Sequence, residues 1–196
     1  MITRHIKPST IGKLKPKCVR MRVMNSRSLR NFKGIGYERG RNIAWQFCWH
    51  TVSHLFFQPF WVPMRVRPFI LRLFGAKIGK RCRIRSRVKI HWPWKLNLGD
   101  DVWLGEGAWL LNLENIGIGN SVCISQEAFL CTGSHDKLSP SFEFDNAPIQ
   151  VEDGVWVCSR AFIPKGSILR TNTVIPANTY YKNRIDLNNY KKAPKK

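Results

Sequence analysis

From Ile78 onward an aliphatic residue returns at every sixth position, and the hexads stack into longer units. One series reads Ile78-Gly79-Lys80-Arg81-Cys82-Arg83, Leu98-Gly99-Asp100-Asp101-Val102-Trp103, Ile118-Gly119-Asn120-Ser121-Val122-Cys123 and Val151-Glu152-Asp153-Gly154-Val155-Trp156. Each is followed by a second hexad, starting at Ile84, Leu104, Ile124 or Val157, and then a third, starting at Ile90, Leu110, Leu130 or Ile163. Three hexads make 18 residues, and two extra residues in the first two coils bring Gly79, Gly99 and Gly119 to a spacing of 20. A period of this kind predicts a solenoid. In a triangular parallel β-helix each face is one short strand, and position one of the hexad points inward. Position five must point inward too, and here it is small or modest: Val102, Ala108, Val122, Ala128, Val155, Ala161, Ser167. Glycine or a polar residue near each corner tolerates turn dihedrals that β-branched residues resist. Stacked coils pair every backbone N–H and C=O with a neighbour, whereas one coil alone buries nothing. An ordinary sandwich of alternating strands would not hold four coils in register.

The register breaks once. Residues 136–148, Asp136-Lys137-Leu138-Ser139-Pro140-Ser141-Phe142-Glu143-Phe144-Asp145-Asn146-Ala147-Pro148, fit no hexad, and the repeat resumes near Val151. A loop ejected from a solenoid corner usually carries function. His135 stands at its start.

Ahead of the repeat, residues 42–64 carry no formal charge. Gln46, His50, His54, Gln58, Pro59 and Pro63 make this segment too polar and too broken for a membrane span. It predicts a helix lying along a surface, with Trp45, Cys48, Trp49, Val52, Leu55 and Phe56 on one face. Such a helix caps the domain, joins two subunits or rests on a membrane interface.

The chain has 196 residues, 33 Lys plus Arg against 12 Asp plus Glu, and a formal charge of +21. Hydrophobic content of 43% with 23% charged residues excludes wholesale disorder. The six cysteines (Cys18, Cys48, Cys82, Cys123, Cys131, Cys158) form no C-x-x-C, which argues against structural zinc and favours free thiols in a reducing cytosol. No secretory signal precedes the repeat: the first 41 residues hold 12 Lys or Arg, one Glu and no long apolar run. Eleven basic residues and no acid lie between Arg65 and Lys95, whereas Leu96 to Ser159 holds 10 acids and one lysine. So acidic a middle, without any helix-turn-helix, zinc-finger or RNP-like pattern, argues against nucleic acid. His50 and His54 are spaced i, i+4 without the glutamate of H-E-x-x-H, and His5 and His91 stand isolated, so no metal centre is expected.

Hexads, loop and order together resemble the left-handed β-helix (hexapeptide-repeat) acyltransferases, and more narrowly the colanic-acid type of acetyltransferase. The resemblance is carried by Arg72-Leu73-Phe74-Gly75-Ala76-Lys77-Ile78-Gly79, Pro93-Trp94-Lys95-Leu96, Cys123-Ile124-Ser125-Gln126 and above all Leu130-Cys131-Thr132-Gly133-Ser134-His135-Asp136. It covers roughly residues 41 to 168. It implies an all-β, left-handed parallel β-helix of hexapeptide repeats that assembles as a homotrimer. Acetyl-CoA would lie in the groove between neighbouring helices and pass acetyl to a sugar hydroxyl during surface-polysaccharide assembly. The catalytic base maps onto His135, and Asp136 is expected on the acceptor side, fixing the loop or the imidazole. Asn112 matches an acceptor-contacting asparagine, with a purely structural corner asparagine as the alternative. Trp156 and Ser159 match positions along the pantetheine channel. Arg160, Lys165, Arg170, Lys182 and Arg184 are charges available to cofactor phosphates without being motif matches.

The expected organisation is a basic arm over residues 1–41, a helical aromatic segment over 42–77, the β-helix over 78–180 with its loop at 136–148, and a basic tail over 181–196. The arm is read as a mobile extension, either simply solvated or touching anionic lipid. Ile175-Pro176-Ala177-Asn178-Thr179 reads as the exit from the helix, about one coil early for the family. That shortening supports one alternative, a β-helix trimer without catalysis that serves as a binding or structural subunit. The expected setting is the cytoplasm, with a place at the inner face of the membrane as a further option.

Overall fold

The computed structural model describes residues 28–181. A first coil is built from β1 (Lys77–Ile78), β2 (Arg83–Ile84) and β3 (Lys89–Ile90), and a second from β4 (Leu96–Leu98), β5 (Trp103–Leu104) and β6 (Trp109–Leu111). The third comprises β7 (Ile116–Ile118), β8 (Cys123–Ile124) and β9 (Phe129–Cys131), the fourth β10 (Ile149–Val151), β11 (Trp156–Val157) and β12 (Phe162–Pro164). Two strands, β13 (Ile168–Leu169) and β14 (Val174–Ile175), begin a fifth. All pairings between these strands are parallel and form three sheets, ordered β1-β4-β7-β10-β13, β2-β5-β8-β11-β14 and β3-β6-β9-β12.

The register follows the hexads. Ile84, Leu104, Ile124, Val157 and Ile175 form one buried column, and Ile90, Leu110, Leu130 and Ile163 another. The position-five residues from Val102 to Ser167 are buried between them. Position four makes the corner: Arg81, Asp101, Ser121, Glu127, Arg160, Asn172 and Asn178 all take positive φ, the left-handed region that short polar residues enter most readily. One corner also carries a polar ladder. Asp100 Oδ1 accepts from Lys80 N at 2.7 Å, Asn120 Oδ1 from Asp100 N at 2.8 Å, and Asp153 Oδ1 from Asn120 N at 2.7 Å. Glycine precedes each of the three donors, Lys80, Asp100 and Asn120, for a steric reason: a Cβ on Gly99 would stand 2.6 Å from Asn120 Oδ1.

The open lower end of the first coil is capped by α1 (Ile43–Val52), a π-helical turn over Ser53–Phe57 and α2 (Val66–Leu73). Asn42 starts α1 by accepting from Trp45 N at 2.9 Å. Carbonyls at that end find their donors in the cap. Trp49 Nε1 donates to the oxygens of Ile90 and His91 at 3.2 and 3.0 Å, and the buried guanidinium of Arg67 bonds those of Phe57, Pro59 and Ile84. The segment is therefore a cap, but the expected apolar face is displaced. Gln46, Trp49, Ser53 and Phe57 are buried, while Cys48, Leu55 and Phe56 are exposed. The π turn adds a residue to the turn and rotates everything after Val52.

The basic arm also differs from its expectation over its described part. Residues 28–41 lie against the ejected loop: Ser28 N donates to Pro140 O, and Phe144 N to Ile35 O. Trp94 Nε1 donates to the Arg39 carbonyl at 2.8 Å, and Trp92 Nε1 to the Tyr37 hydroxyl. Residues 1–27, with His5 and Cys18, and the tail over 182–196 lie outside the described residues. The five described cysteines are unpaired. His91 is not isolated: its ring meets those of Trp92 and His50, and burial pushes its pKa down to about 4.

Candidate active site

Between β9 and β10 the chain leaves the corner joining the third face to the first. Its two limbs run antiparallel, with His135 opposite Phe144. Asp136 N donates to Glu143 O at 2.8 Å, Asp145 N to Ser134 O at 2.8 Å and Ala147 N to Thr132 O at 3.1 Å. Lys165 on the fourth coil ties the returning limb down through Asp145.

His135 is half-buried at the base of this excursion, and three aromatic rings hold it. Phe142 stacks on the imidazole with centroids 4.0 Å apart and planes 9° off parallel, Phe144 lies at 5.0 Å, and Phe32 from the arm presents an edge at 5.9 Å. Nδ1 is 2.7 Å from the Phe142 carbonyl oxygen. A carbonyl only accepts, so Nδ1 carries the proton, and the neutral ring keeps its lone pair on Nε2. Phe142 reaches this position with a φ of 59°, an uncommon conformation for a bulky side chain. Backbone strain of this kind persists where surrounding contacts enforce it, and it concentrates at functional sites.

Glu143 joins loop to arm. Its carboxylate accepts from Lys33 N at 3.0 Å and Ile35 N at 2.7 Å, and these backbone N–H bonds hold its pKa below the usual carboxylate range. A groove of about 540 Å³ lies beside this clamp, lined by Arg30, Lys33, Ser141 and Glu143 among others. Glu143→Gln keeps the shape but weakens both bonds. The expected result is faster amide exchange over residues 28–36, with the melting temperature of the β-helix unchanged. In the wild type the clamp persists above the ordinary glutamate pKa and is lost as pH falls through the depressed folded value. Hydrogen-exchange mass spectrometry across that range checks both statements; equal protection in the two proteins would refute them.

The remaining expected site residues fall in different places. Asp136 fixes the loop rather than the imidazole: its Oδ1 accepts from Leu138 N at 2.8 Å, closing an Asx turn. Asn112 corrects its reading as an acceptor contact. It is fully buried, with Oδ1 accepting from His91 N and Trp92 N at 3.0 Å and Nδ2 donating to Trp92 O at 2.5 Å. The extra residues of the second coil turn its amide inward, where it satisfies backbone groups of the coil below, so no edge faces a ligand. Trp156 points outward from β11, half-exposed, and its Nε1 donates to Ser125 Oγ at 2.9 Å. Ser159 occupies the corner after β11, its carbonyl accepting from Asn178 N. The cations at the corners are engaged: Arg160 pairs with Glu127 at 2.6 Å and Arg170 with Glu152 at 2.8 Å, because each stacks over an acid of a neighbouring coil. Lys182 and Arg184 lie outside the described residues.

Within one chain, then, His135 is not brought together with Trp156 and Ser159. The imidazole leaves the corner between the first and third faces, and Trp156 stands on the second face, opposite that corner. Sequence reasoning missed Phe32, Phe142, Glu143, Phe144 and Asn146. Asn146 Oδ1 accepts from Ser134 N at 3.0 Å, while its Nδ2 is buried without a hydrogen-bond partner. The one local signal for this group is the Phe-Glu-Phe alternation inside the ejected loop.

No protein-family model matches the chain. It is 41% identical over 144 residues to the "Putative colanic acid biosynthesis acetyltransferase WcaF" of Escherichia coli (strain K12), covering 74% of this chain and 79% of that protein. The protein of the same name from Shigella flexneri gives the same figures. Among solved structures, the hexapeptide-repeat-containing acetyltransferase VCA0836 from Vibrio cholerae O1 biovar eltor, in complex with acetyl coenzyme A, superposes with a TM-score of 0.65 at 19% identity, covering 76% of this chain and 83% of that one. That likeness shows the fold, a left-handed β-helix. With parallel coils in hexad register, a loop bearing His135 and this level of identity, the chain belongs to the hexapeptide-repeat acetyltransferases of the colanic-acid type.

Proposed function

We propose that the protein is an O-acetyltransferase that moves acetyl from acetyl-CoA to a hydroxyl of a saccharide, in the assembly of a surface polysaccharide. His135 is the general base. Its Nε2 takes the proton of the acceptor hydroxyl while the oxygen attacks the thioester carbonyl, forming a C–O bond. Collapse of the tetrahedral intermediate breaks the C–S bond, and the imidazolium returns its proton to the departing thiolate. No covalent acyl-enzyme is needed. The observation that carries this reading is the bond from Nδ1–H to the Phe142 carbonyl, which fixes the tautomer a base requires.

The working unit is a homotrimer with its sites between copies. A threefold arrangement sets one chain's His135 corner beside the second face of the next, where Trp156, Ser159 and Arg160 line the cofactor side. The Arg160–Glu127 pair is solvent-exposed, so a cofactor phosphate can take the carboxylate's place. The reaction belongs in the cytoplasm, at the inner face of the membrane.

Thiol release from acetyl-CoA with a panel of saccharides tests the activity. Co-expression tests the geometry. His135→Ala and Trp156→Glu chains, each inactive alone, should recover a measurable fraction of wild-type turnover when mixed, because some interfaces receive both native residues. A mixture as inactive as its parents would place each site within a single chain. Stable trimers without turnover on any acceptor would favour a structural subunit.

A further inference from the structure

The outer surface of the cap is apolar and exposed. Ile43, Phe47, Phe60, Trp61, Phe69 and Leu73 are each between 63% and 81% exposed, although their segment is well packed on its other side. The two sets alternate as helices require. In α1 Gln46 and Trp49 face the β-helix while Ile43 and Phe47 face away; in α2 Ile70, Leu71 and the adjoining Phe74 face in while Phe69 and Leu73 face out. Ile43, Phe47, Phe69 and Leu73 therefore form the outer face of the cap, and Phe60 and Trp61, on the loop that joins its helices, stand beside Arg87 and Glu106. Apolar exposure on this scale marks an interaction surface.

Charge identifies what covers it. No acid occurs between Glu38 and Asp100. Exposed Arg65, Lys77, Lys80 and Arg85 form no salt bridge among the described residues, and Glu106, the acid beside Phe60 and Trp61, is paired with Arg87 at 2.8 Å. A second copy meeting this face would set its cations against the same cations. Residues 1–27 are no better suited, since they too contain Lys and Arg but no acid. The cover must be apolar and anionic together. Protruding Trp and Phe rimmed by Lys and Arg is the composition that enters the headgroup region of an anionic bilayer. No helix among the described residues is long and apolar enough to cross a membrane, so the contact lies in the plane of the surface.

We propose that the cap is a docking face for anionic lipid and seats the β-helix with its axis rising from the membrane. The exposed loop residues Phe60 and Trp61 enter the interface, and the basic rim holds the headgroups. This gives physical content to the membrane-side location, and it does not depend on His135 or on acetyl transfer.

The test is sedimentation of the full chain with vesicles of phosphatidylcholine alone or with 30% phosphatidylglycerol. Binding is expected only with phosphatidylglycerol, and it should weaken when salt is raised. The double variant Phe60→Ser, Trp61→Ser should bind at least tenfold more weakly, with melting temperature and thiol-release activity unchanged. Unchanged binding by this variant would overturn the proposal, leaving residues 1–27 as the attachment. Absence of binding by folded wild type would also overturn it, as would lipid-free self-association that the variant abolishes, which would make a second copy the occupant. Loss of vesicle binding with activity intact separates this failure from failure of the enzymatic reading.

Discussion

His135→Ala is expected to lower kcat by roughly 10³-fold, with a much smaller change in the KM for acetyl-CoA. The argument is local. An alcohol attacks a thioester slowly unless its proton is removed as the C–O bond forms, and Nε2 of His135 is the lone pair that the loop holds ready. Nδ1 is committed to the Phe142 carbonyl, and stacking between Phe142 and Phe144 fixes the ring plane. Removing the imidazole leaves the groove intact, so cofactor affinity changes little while the chemical step slows. Folding provides the control. His135 lies at the base of the ejected loop, outside the buried columns of Ile, Leu and Val, so the variant should melt with the wild type and keep its oligomeric state. Steady-state rates with acetyl-CoA and an accepted saccharide decide the matter; turnover within tenfold of wild type would put the base elsewhere. Phe142→Ala makes a graded companion. It should cost about tenfold in kcat by freeing the ring, with the KM for acetyl-CoA unchanged, and should cost nothing further in the His135→Ala background, which would show that Phe142 acts through His135.

What the sequence made legible divides along a physical line. The β-helix was readable because each inward position, such as Ile124 or Val157, must be apolar every six residues, and a periodic demand leaves a periodic trace. His135 was readable because the hexads stop immediately after it. The face of the cap was not: the π turn at Ser53–Phe57 shifts the helical phase, and no residue pattern in that uncharged stretch announces it. The sequence around Asn112 fits an acceptor contact and a corner residue equally; only the direction of its amide decides, and that depends on backbone oxygen and nitrogen atoms one coil away. The clamp between Glu143 and residues 33 and 35 was invisible for a related reason. Its partners are more than 100 residues apart, and neither carries a local signal of the other. Lone basic arms are ordinarily solvated; this one is held because the Glu143 carboxylate and the rings of His135 and Phe144 face it across the loop.

Arg67→Met should be the most destabilising single change in the cap, at about 3–5 kcal/mol, and should lower the melting temperature by roughly 10 °C. Arg67 is 2% exposed and has no carboxylate beside it. Burial, and then the charge of Arg85, pull its pKa below the usual arginine value. Its charge is tolerated there because Nε donates to Phe57 O at 2.9 Å, one terminal nitrogen to Ile84 O at 3.3 Å and the other to Pro59 O at 2.7 Å. Two of those carbonyls close the loop between the π turn and α2, and the third belongs to the open end of the first coil. Methionine fills the volume yet leaves all three oxygens without that donor, and those of Phe57 and Ile84 are buried, which is where the cost arises. Arg67→Lys should recover little, because one ammonium cannot span three divergent carbonyls as a planar guanidinium does. The loss should begin at the base of the stack, exposing β1 to β3 to hydrogen exchange first, while His135, two coils above, keeps its surroundings. At low temperature kcat should therefore stay near wild type although vesicle binding is lost. A melting temperature within 2–3 °C of wild type would mean that Trp49 and the apolar packing of the cap hold the end of the β-helix without the guanidinium.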